Sequence, residues 1–160
     1  MHSAPSSPLL KIVSLGATVL LTGVTAALLI TGHAPRGLCF LPVGVIPICA
    51  LSVVRGYTVA SGTLEIHRLL WTTRVSLEGL RDIRVEPDAM RGSLRLFGNG
   101  GLFSFTGWFR NKTLGVYRAF VTDTHRTVVL RLSKRTMVVS PADPEAFVRD
   151  VQAPFARQGA

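Results

Sequence analysis

The hydrophobic pattern divides the chain into two continuous apolar segments followed by a long region of alternation. Residues 12–30 form an uncharged run of 19 residues, and residues 37–54 form a second run of 18. A helix that crosses a membrane needs about 20 apolar residues, so the pattern predicts transmembrane helices over 12–31 and 37–54. The connection at 33–36 is too short for anything but an antiparallel helical hairpin.

From residue 55 onwards, apolar and polar residues alternate in short runs that are separated by turn residues. In the run TLEIHR, residues 63–68, Leu64 and Ile66 face one way and the residues between them face the other, which is typical of a half-buried antiparallel strand. Ser61-Gly62 is the turn before it. Six of the fifteen glycines fall between residues 92 and 123, where they predict tight hairpins. The pattern therefore predicts a β-meander.

The last element has helical periodicity. Asp143 is placed as an N-cap, Pro144 takes the first helical position and Glu145 suits the positive end of the helix dipole. Three apolar residues mark one buried face: Phe147, Val148 and Val151. We predict one amphipathic helix over about 144–153 that closes the fold.

Three stretches of this region resemble a known family. They are Gly92-x-x-Arg95-Leu96-Phe97-Gly98-x-Gly100-Gly101-Leu102-Phe103, Gly107-Trp108-Phe109-x-Asn111-x-x-Leu114-Gly115-x-Tyr117-Arg118 and Ser140-Pro141-x-Asp143-Pro144-x-x-Phe147. With the hydrophobic hairpin before them, they resemble membrane-bound bacterial proteins with a pleckstrin-homology-like domain, over about residues 57–152. The resemblance implies a bent antiparallel β-barrel of about seven strands, plugged at one end by the C-terminal helix. It carries no activity and no catalytic residue to this chain.

The predicted organisation is an α+β membrane protein in three parts. Residues 1–11 are a disordered cytoplasmic lead-in, residues 12–54 a transmembrane helical hairpin, and residues 55–160 the pleckstrin-homology-like domain with its helix. A cleaved signal peptide is the alternative for the first segment, since Gly32-His33-Ala34 has the small-x-small form of a cleavage site. The apolar run is longer than the 7–15 residues usual for such a peptide.

Charge at the ends of the two segments predicts their orientation. Lys11, Arg55, Arg68 and Arg74 flank the outer ends, whereas only Arg36 marks the connection. Because cytoplasmic flanks carry the excess of Lys and Arg, both termini and the β domain are predicted at the cytoplasmic face of the plasma membrane.

Glycines on both segments are spaced for helix contact. Gly16 and Gly23 lie seven residues apart on the first segment, and Gly37 and Gly44 lie seven apart on the second. Small residues on one face let helix backbones approach closely in a membrane. These faces predict packing of the two helices against each other or, alternatively, a homodimer.

The charge of the remaining chain favours an anionic partner. The net charge is +9, and residues 55–160 hold 16 Lys and Arg against 9 Asp and Glu. Beside a membrane the nearest anions are lipid headgroups. The same excess is also expected of any cytoplasmic domain that obeys the positive-inside rule, so the charge alone leaves both interpretations open.

The candidate binding residues lie in the stretch TGWFRNK, residues 106–112, interpreted as a loop. In it, Trp108 and Phe109 are followed by Arg110 and Lys112, and an aromatic side chain next to cations suits contact with lipid headgroups. The alternative is that the two aromatic residues pack in a core. Two further cations flank the first hairpin and are included as candidates: Arg91 and Arg95.

Enzyme and cofactor chemistry has little support. His67, Asp123 and His125, with Ser104 or Ser140, lack the spacing of a hydrolytic site, and the four histidines lack the close spacing of a metal site. Cys39 and Cys49 lie in an apolar run and imply neither a metal site nor a disulfide. The turn at 98–101 is not followed by the Gly-Lys-Ser/Thr of a phosphate loop. We predict no cofactor, no metal and no nucleic acid partner.

The sequence thus predicts a non-enzymatic membrane protein that presents a basic pleckstrin-homology-like domain for binding anionic lipid or another protein. The alternative function is an assembly or scaffolding subunit of a larger membrane complex. These alternatives differ in where an exposed surface lies relative to the bilayer, which only the fold determines.

Overall fold

The computed structural model describes residues 2–5, 7–32, 37 and 40–156. It contains the helices α1 (Pro8–Thr31), α2 (Leu41–Leu51) and α3 (Pro144–Ala156). The strands are β1 (His2–Ser3), β2 (Val54–Ala60), β3 (Thr63–Arg68), β4 (Thr72–Ser76), β5 (Leu80–Val85), β6 (Leu94–Gly100), β7 (Phe105–Asn111), β8 (Gly115–Val121), β9 (Val128–Leu132) and β10 (Thr136–Val139).

Helix α1 is the apolar helix of the first predicted segment, and it begins four residues earlier than predicted. The Ser7 side chain caps it by accepting a hydrogen bond of 3.2 Å from the backbone N–H of Leu10, and Gly32 ends it with φ of 64°. Its part Leu10–Thr31, 22 residues, is long and apolar enough to cross a membrane. Among the described residues it is the single helix of which this is true, and it indicates association with a membrane.

Helix α2 does not reach the length of the second predicted span. Its 11 residues rise about 16 Å, roughly half of the 30 Å hydrocarbon core. Pro47 lies inside the helix, where it removes one backbone hydrogen bond. The predicted connection at 33–36 and residues 38 and 39 lie outside the described residues. The described helices therefore support one membrane span and do not support the predicted two-span hairpin.

The glycine faces are not used for packing within the described chain. Helices α1 and α2 approach each other, yet a Cβ added at Gly16, Gly23, Gly37 or Gly44 would meet nothing within 4 Å. The prediction that these glycines hold the two helices together is therefore wrong for the described residues. Their use in a homodimer stays a prediction.

The strands form two open sheets rather than the predicted closed barrel. One sheet has the order β1-β2-β3-β4 and the other β5-β9-β10-β8-β7-β6. The chain leaves the first sheet after β4, where Gly79 has φ of 74°, and β5 pairs with β9 instead of β4. The two sheets face each other as a β-sandwich, which α3 closes.

The second sheet also departs from a meander, because β10 lies between β9 and β8 and runs parallel to β8. Its residues alternate between two apolar environments, with Met137 and Val139 in one core and Val138 in the other. A strand that is buried on both faces suits the centre of a sheet, where both of its edges are paired.

The hairpin of β6 and β7 corrects one local prediction. Residues 101–104 form the turn of this hairpin, where the Asn99 side chain bonds both the N–H and the C=O of Leu102. The stretch 106–112 was expected to be a loop, but it forms most of β7, which pairs with β6 and β8. An Asx side chain that bonds its own backbone favours a turn over a strand.

Two hydrophobic cores lie on the two faces of the six-stranded sheet. The first core lies between the sheets and α3, with Tyr57, Leu64, Phe120, Leu130 and Phe147 fully buried. The second core lies on the opposite face under the turn at 86–93, and contains Met90, Phe109, Tyr117, Ala119, Val121, Val129 and Val138.

The N-terminal residues are ordered against this sandwich, which corrects the predicted disordered lead-in. His2 and Ser3 pair with Tyr57 and Gly56 as β1. The N–H of Ala4 donates to the carbonyl of Arg55 at 3.0 Å, and the His2 ring packs edge-on against Phe147 at 5.4 Å between ring centres. The chain segment before α1 is thus fixed beside the strand that follows α2.

A buried polar network joins the two sheets. The Tyr57 hydroxyl donates to the carbonyl of Phe120 at 2.6 Å and accepts from the N–H of Ser140 at 3.1 Å. Burial raises the pKa of Tyr57 to about 12. The Ser140 hydroxyl accepts from the N–H groups of Thr122 and Asp123, so this buried side chain satisfies backbone donors at the end of β8.

Candidate functional site

One half of the inner face of the six-stranded sheet is not covered by the opposite sheet. On β8, Phe120 belongs to the first core, and Arg118 faces the same side two residues earlier. Arg118 lies opposite Trp108 on β7, which lies opposite Phe97 on β6. We call this uncovered half the open face; its residues are Leu94, Phe97, Trp108, Arg110, Val116 and Arg118.

The open face is apolar and exposed to an unusual degree. Phe97 is 77% exposed, Leu94 is 72%, Val116 is 51% and Trp108 is 40%. Adjacent exposed apolar residues on a folded domain indicate a contact surface for a membrane or another protein.

A cavity of about 410 Å³ separates the open face from the end of α2. Ile48, Cys49 and Ser52 line it on the side of the helix. On the other side it is lined by Arg68, Phe97, Gly98, Asn99, Thr106, Gly107, Trp108 and Arg118. The surface of the β domain that contains Trp108 therefore lies next to α2, the helix that leads into the domain.

Two arginines meet in this cavity without acidic partners. The guanidinium carbon of Arg68 lies 5.2 Å from the ring centre of Phe120, and that of Arg118 lies 4.9 Å from the same ring centre. Burial, and secondarily Arg118, lowers the pKa of Arg68, while burial and secondarily Arg135 lower the pKa of Arg118. Both side chains remain cationic at neutral pH, because an arginine titrates far above it.

The turn between β3 and β4 adds a second exposed apolar group. Leu69, Leu70 and Trp71 are 42%, 71% and 44% exposed. Arg68, the last residue of β3, pairs with Val54, which lies three residues after the end of α2. The turn that follows Arg68 therefore lies beside the junction of α2 and β2.

The sequence-predicted candidates divide between the two faces of β7. Trp108 and Arg110 lie on the open face, as a two-residue spacing on a strand requires. Phe109 points to the other side and is 3% exposed in the second core, which takes it out of the contact surface. Lys112 is exposed in the turn after β7.

The other two candidate arginines are exposed but do not belong to the open face. Arg91 lies in the turn before β6. Arg95 pairs with Phe109, on the opposite side of the sheet, and its side chain extends along β6 and donates to the carbonyl of Gly98 at 3.4 Å. Arg95 therefore faces away from Trp108, because one residue of register reverses the face of a strand, and a role of either arginine in binding stays a prediction.

The residues weighed for catalysis are scattered. His67 bonds Thr58 and Thr72 on neighbouring strands, and His125 lies 2.8 Å from Asp88. Ser104 bonds Thr106 in the turn of the β6–β7 hairpin. These groups use their hydrogen bonds on local structure.

Sequence reasoning missed the two cavity arginines and the apolar turn. A usable signal was present in Arg68-Leu69-Leu70-Trp71, where two leucines and a tryptophan directly follow the strand predicted at residues 63–68. No comparable signal joins Arg68 to Arg118, because fifty residues separate them and only the packing of the two sheets brings them together.

The fold and the open face define a class of protein: a small β-sandwich closed by a C-terminal helix, of the pleckstrin-homology-like type, preceded by an apolar helix. A family model described as Bacterial PH domain matches residues 55–154. The chain belongs to the bacterial PH domain family. Searches of the curated proteins and of the solved structures found no match to the chain.

Proposed function

We propose that this protein is a non-enzymatic, membrane-anchored binding module whose open face contacts the headgroups of anionic lipids at the cytoplasmic side. The observation that carries the proposal is the cavity that Trp108 and Phe97 share with Ile48 and Cys49 of α2. If α2 enters the bilayer, a surface that adjoins this helix meets the bilayer interface without any movement of the domain.

The ordered N-terminus supports the hairpin topology. Residues 2–5 precede α1 and residues 54–60 follow α2, and β1 pairs with β2 across this gap. Whatever path residues 8–53 take, the chain must leave the domain and return to the same side. If α1 crosses the bilayer, the remaining residues before β2 must cross back. The excess of cations near these ends supports the cytoplasm as the side on which the domain lies.

A cysteine at position 125 tests this orientation. His125 is exposed in the β domain, so in intact cells we expect His125→Cys to remain unlabelled by a membrane-impermeant thiol reagent. Permeabilised cells should label it, and the unsubstituted protein measures labelling of the native cysteines. Labelling in intact cells to the level of permeabilised cells would refute the cytoplasmic location.

The chemistry of the open face suits an anionic interface. Tryptophan is favoured at the level of the headgroups, and Arg110 and Arg118 place cations beside Trp108 on the same face. Each basic side chain near an anionic bilayer contributes about 1 kcal/mol, and this attraction weakens with salt.

Quenching of a single tryptophan measures this contact directly. The chain has two tryptophans, so Trp71→Phe leaves Trp108 as the only one. We expect lipids brominated on the acyl chains near the headgroup to quench Trp108 in full-length protein reconstituted in liposomes, more strongly with anionic lipid than with neutral lipid. Changing Arg110 and Lys112 together to Gln should remove about 2 kcal/mol of this preference.

Arg149→Gln is a matched control, since it changes one charge on the exposed side of α3 and should leave the quenching unaltered. If Trp108 is not quenched in anionic liposomes at low salt, contact of the open face with lipid is refuted.

The second candidate function is a docking module for another membrane protein. It is favoured by β6, which is an edge strand of seven residues with Leu94, Leu96 and Phe97 exposed. An unpaired apolar edge can accept a strand from another chain. In that case Trp108 should be shielded from brominated lipid in the native membrane complex and quenched only after the complex is dissociated.

A further inference from the structure

The cavity beside α2 contains two cations that the chain itself does not neutralise. Five ion pairs occur in the described part of the chain, and neither Arg68 nor Arg118 takes part in any of them. All nine acidic side chains of the protein lie within the described residues, so none of them remains to be found as a partner.

The Arg68 side chain also has an unused donor. Its Nε atom is buried and has no hydrogen-bond partner within the described structure. A buried donor without a partner destabilises a fold, and it does so more strongly when the group is charged. An arginine in this position is stabilised when an acceptor enters the cavity.

Both arginines are held by aromatic rings. Arg68 lies over Trp71 at 5.4 Å as well as over Phe120, and Arg118 lies over Trp108 at 6.0 Å as well as over Phe120. Because both guanidinium carbons lie about 5 Å from the same ring centre, they are at most about 10 Å apart. A guanidinium group that is attracted to a ring face by its charge still has N–H donors available for an oxygen acceptor.

We propose that Arg68 and Arg118 form a binding site for the phosphate group of an anionic lipid, whose apolar part lies along Ile48 and Phe97. Phosphate oxygens match the fork of N–H donors of a guanidinium group. Two exposed apolar side chains beside the cations favour a lipid over free phosphate: Ile48 of α2 is 66% exposed and Phe97 of β6 is 77% exposed. The proposal rests on the proposed function in one respect, that the open face meets the bilayer.

The two tryptophans of the chain provide the measurement, because one lies over each arginine. Full-length protein in a neutral detergent is titrated with dihexanoyl phosphatidic acid, dihexanoyl phosphatidylcholine, inorganic phosphate or chloride at constant ionic strength. We expect a saturable change in tryptophan fluorescence with phosphatidic acid, and binding at least about ten-fold weaker for each of the other three.

The variants Arg68→Gln and Arg118→Gln should each weaken the binding of phosphatidic acid about ten-fold, the range for a charge-assisted contact. Arg68→Lys and Arg118→Lys keep the charge but lose the fork, and should retain part of the affinity. Arg149→Gln on α3 should bind like the original protein. Thermal unfolding of each variant verifies that it is folded, and Arg118→Gln carries the test if Arg68→Gln is not.

Three results would overturn the proposal. Equal affinity for inorganic phosphate would assign the site to a free anion, equal affinity for phosphatidylcholine would remove the role of charge, and unchanged binding in both Gln variants would place the anion elsewhere. Failure of the proposed function is separate, because it is measured by lipid quenching of Trp108 in the reconstituted Trp71→Phe protein.

Discussion

Replacing Phe147 with alanine should lower the free energy of unfolding by about 3–5 kcal/mol, the range for deleting a buried phenylalanine. Phe147 is fully buried in the first core, where its ring meets Tyr57 at 6.1 Å and His2 at 5.4 Å between ring centres. The substitution therefore leaves a cavity where α3, the four-stranded sheet and the N-terminal strand meet. Such a loss is a large share of the 5–15 kcal/mol that stabilises a typical domain.

Urea unfolding of the full-length protein in detergent, followed by tryptophan fluorescence, measures this effect. Gln152→Ala is the matched control, because Gln152 is exposed on the same helix and should change stability by less than about 0.5 kcal/mol. An unchanged midpoint for Phe147→Ala would mean that α3 does not pack on the sandwich as described.

The second large effect is expected at Gly107, where β6 and β7 come closest. Gly107 lies opposite Gly98, and a Cβ on Gly107 would overlap the carbonyl oxygen of Phe97 and lie 2.9 Å from the Gly98 Cα. Its φ of 146° is a conformation that side chains rarely adopt and costs about 1–3 kcal/mol by itself. Gly107→Ala should therefore separate β6 from β7, since the overlap with backbone atoms adds to that cost.

Hydrogen exchange of the amides in residues 94–100 is the appropriate measurement, because the expected damage is local. We expect these amides to lose protection in Gly107→Ala while those of β9 and β10 keep it. Gly115→Ala is the matched control: its φ is 68°, but a Cβ there meets nothing within 4 Å, and it should cost about 1–2 kcal/mol without opening the hairpin. Full protection of β6 in Gly107→Ala would contradict the close approach of the two strands.

Gly107→Ala also connects the fold to the proposed function. Strand β6 carries Leu94 and Phe97 of the open face, and Phe97 lines the cavity of the two arginines. A variant that releases β6 but keeps both cores should lose lipid contact at Trp108 without unfolding.

Several elements could be predicted from the sequence because local interactions determine them. The side chain of Asp143 accepts from the N–H of Ala146 at the start of α3, as predicted for an N-cap. Ser61 and Gly62 have φ of 47° and 72° in the turn between β2 and β3, a conformation that a two-residue hairpin turn requires. The apolar helix of residues 10–31 and the family follow from equally local patterns.

The sequence by itself determined the type of most elements, because turn residues, helix caps and apolar periodicity are local properties; it also named Trp108 and Arg110 as candidates, but only the strand β7 separates them from Phe109. Tertiary structure alone decided that β10 enters the sheet parallel to β8, that residues 2–5 join β2 and that Arg68 reaches Arg118. Each of these contacts joins residues that are distant in the chain. Such pairings depend on which apolar surfaces can be buried together, and that is a property of the packed sandwich rather than of any one segment.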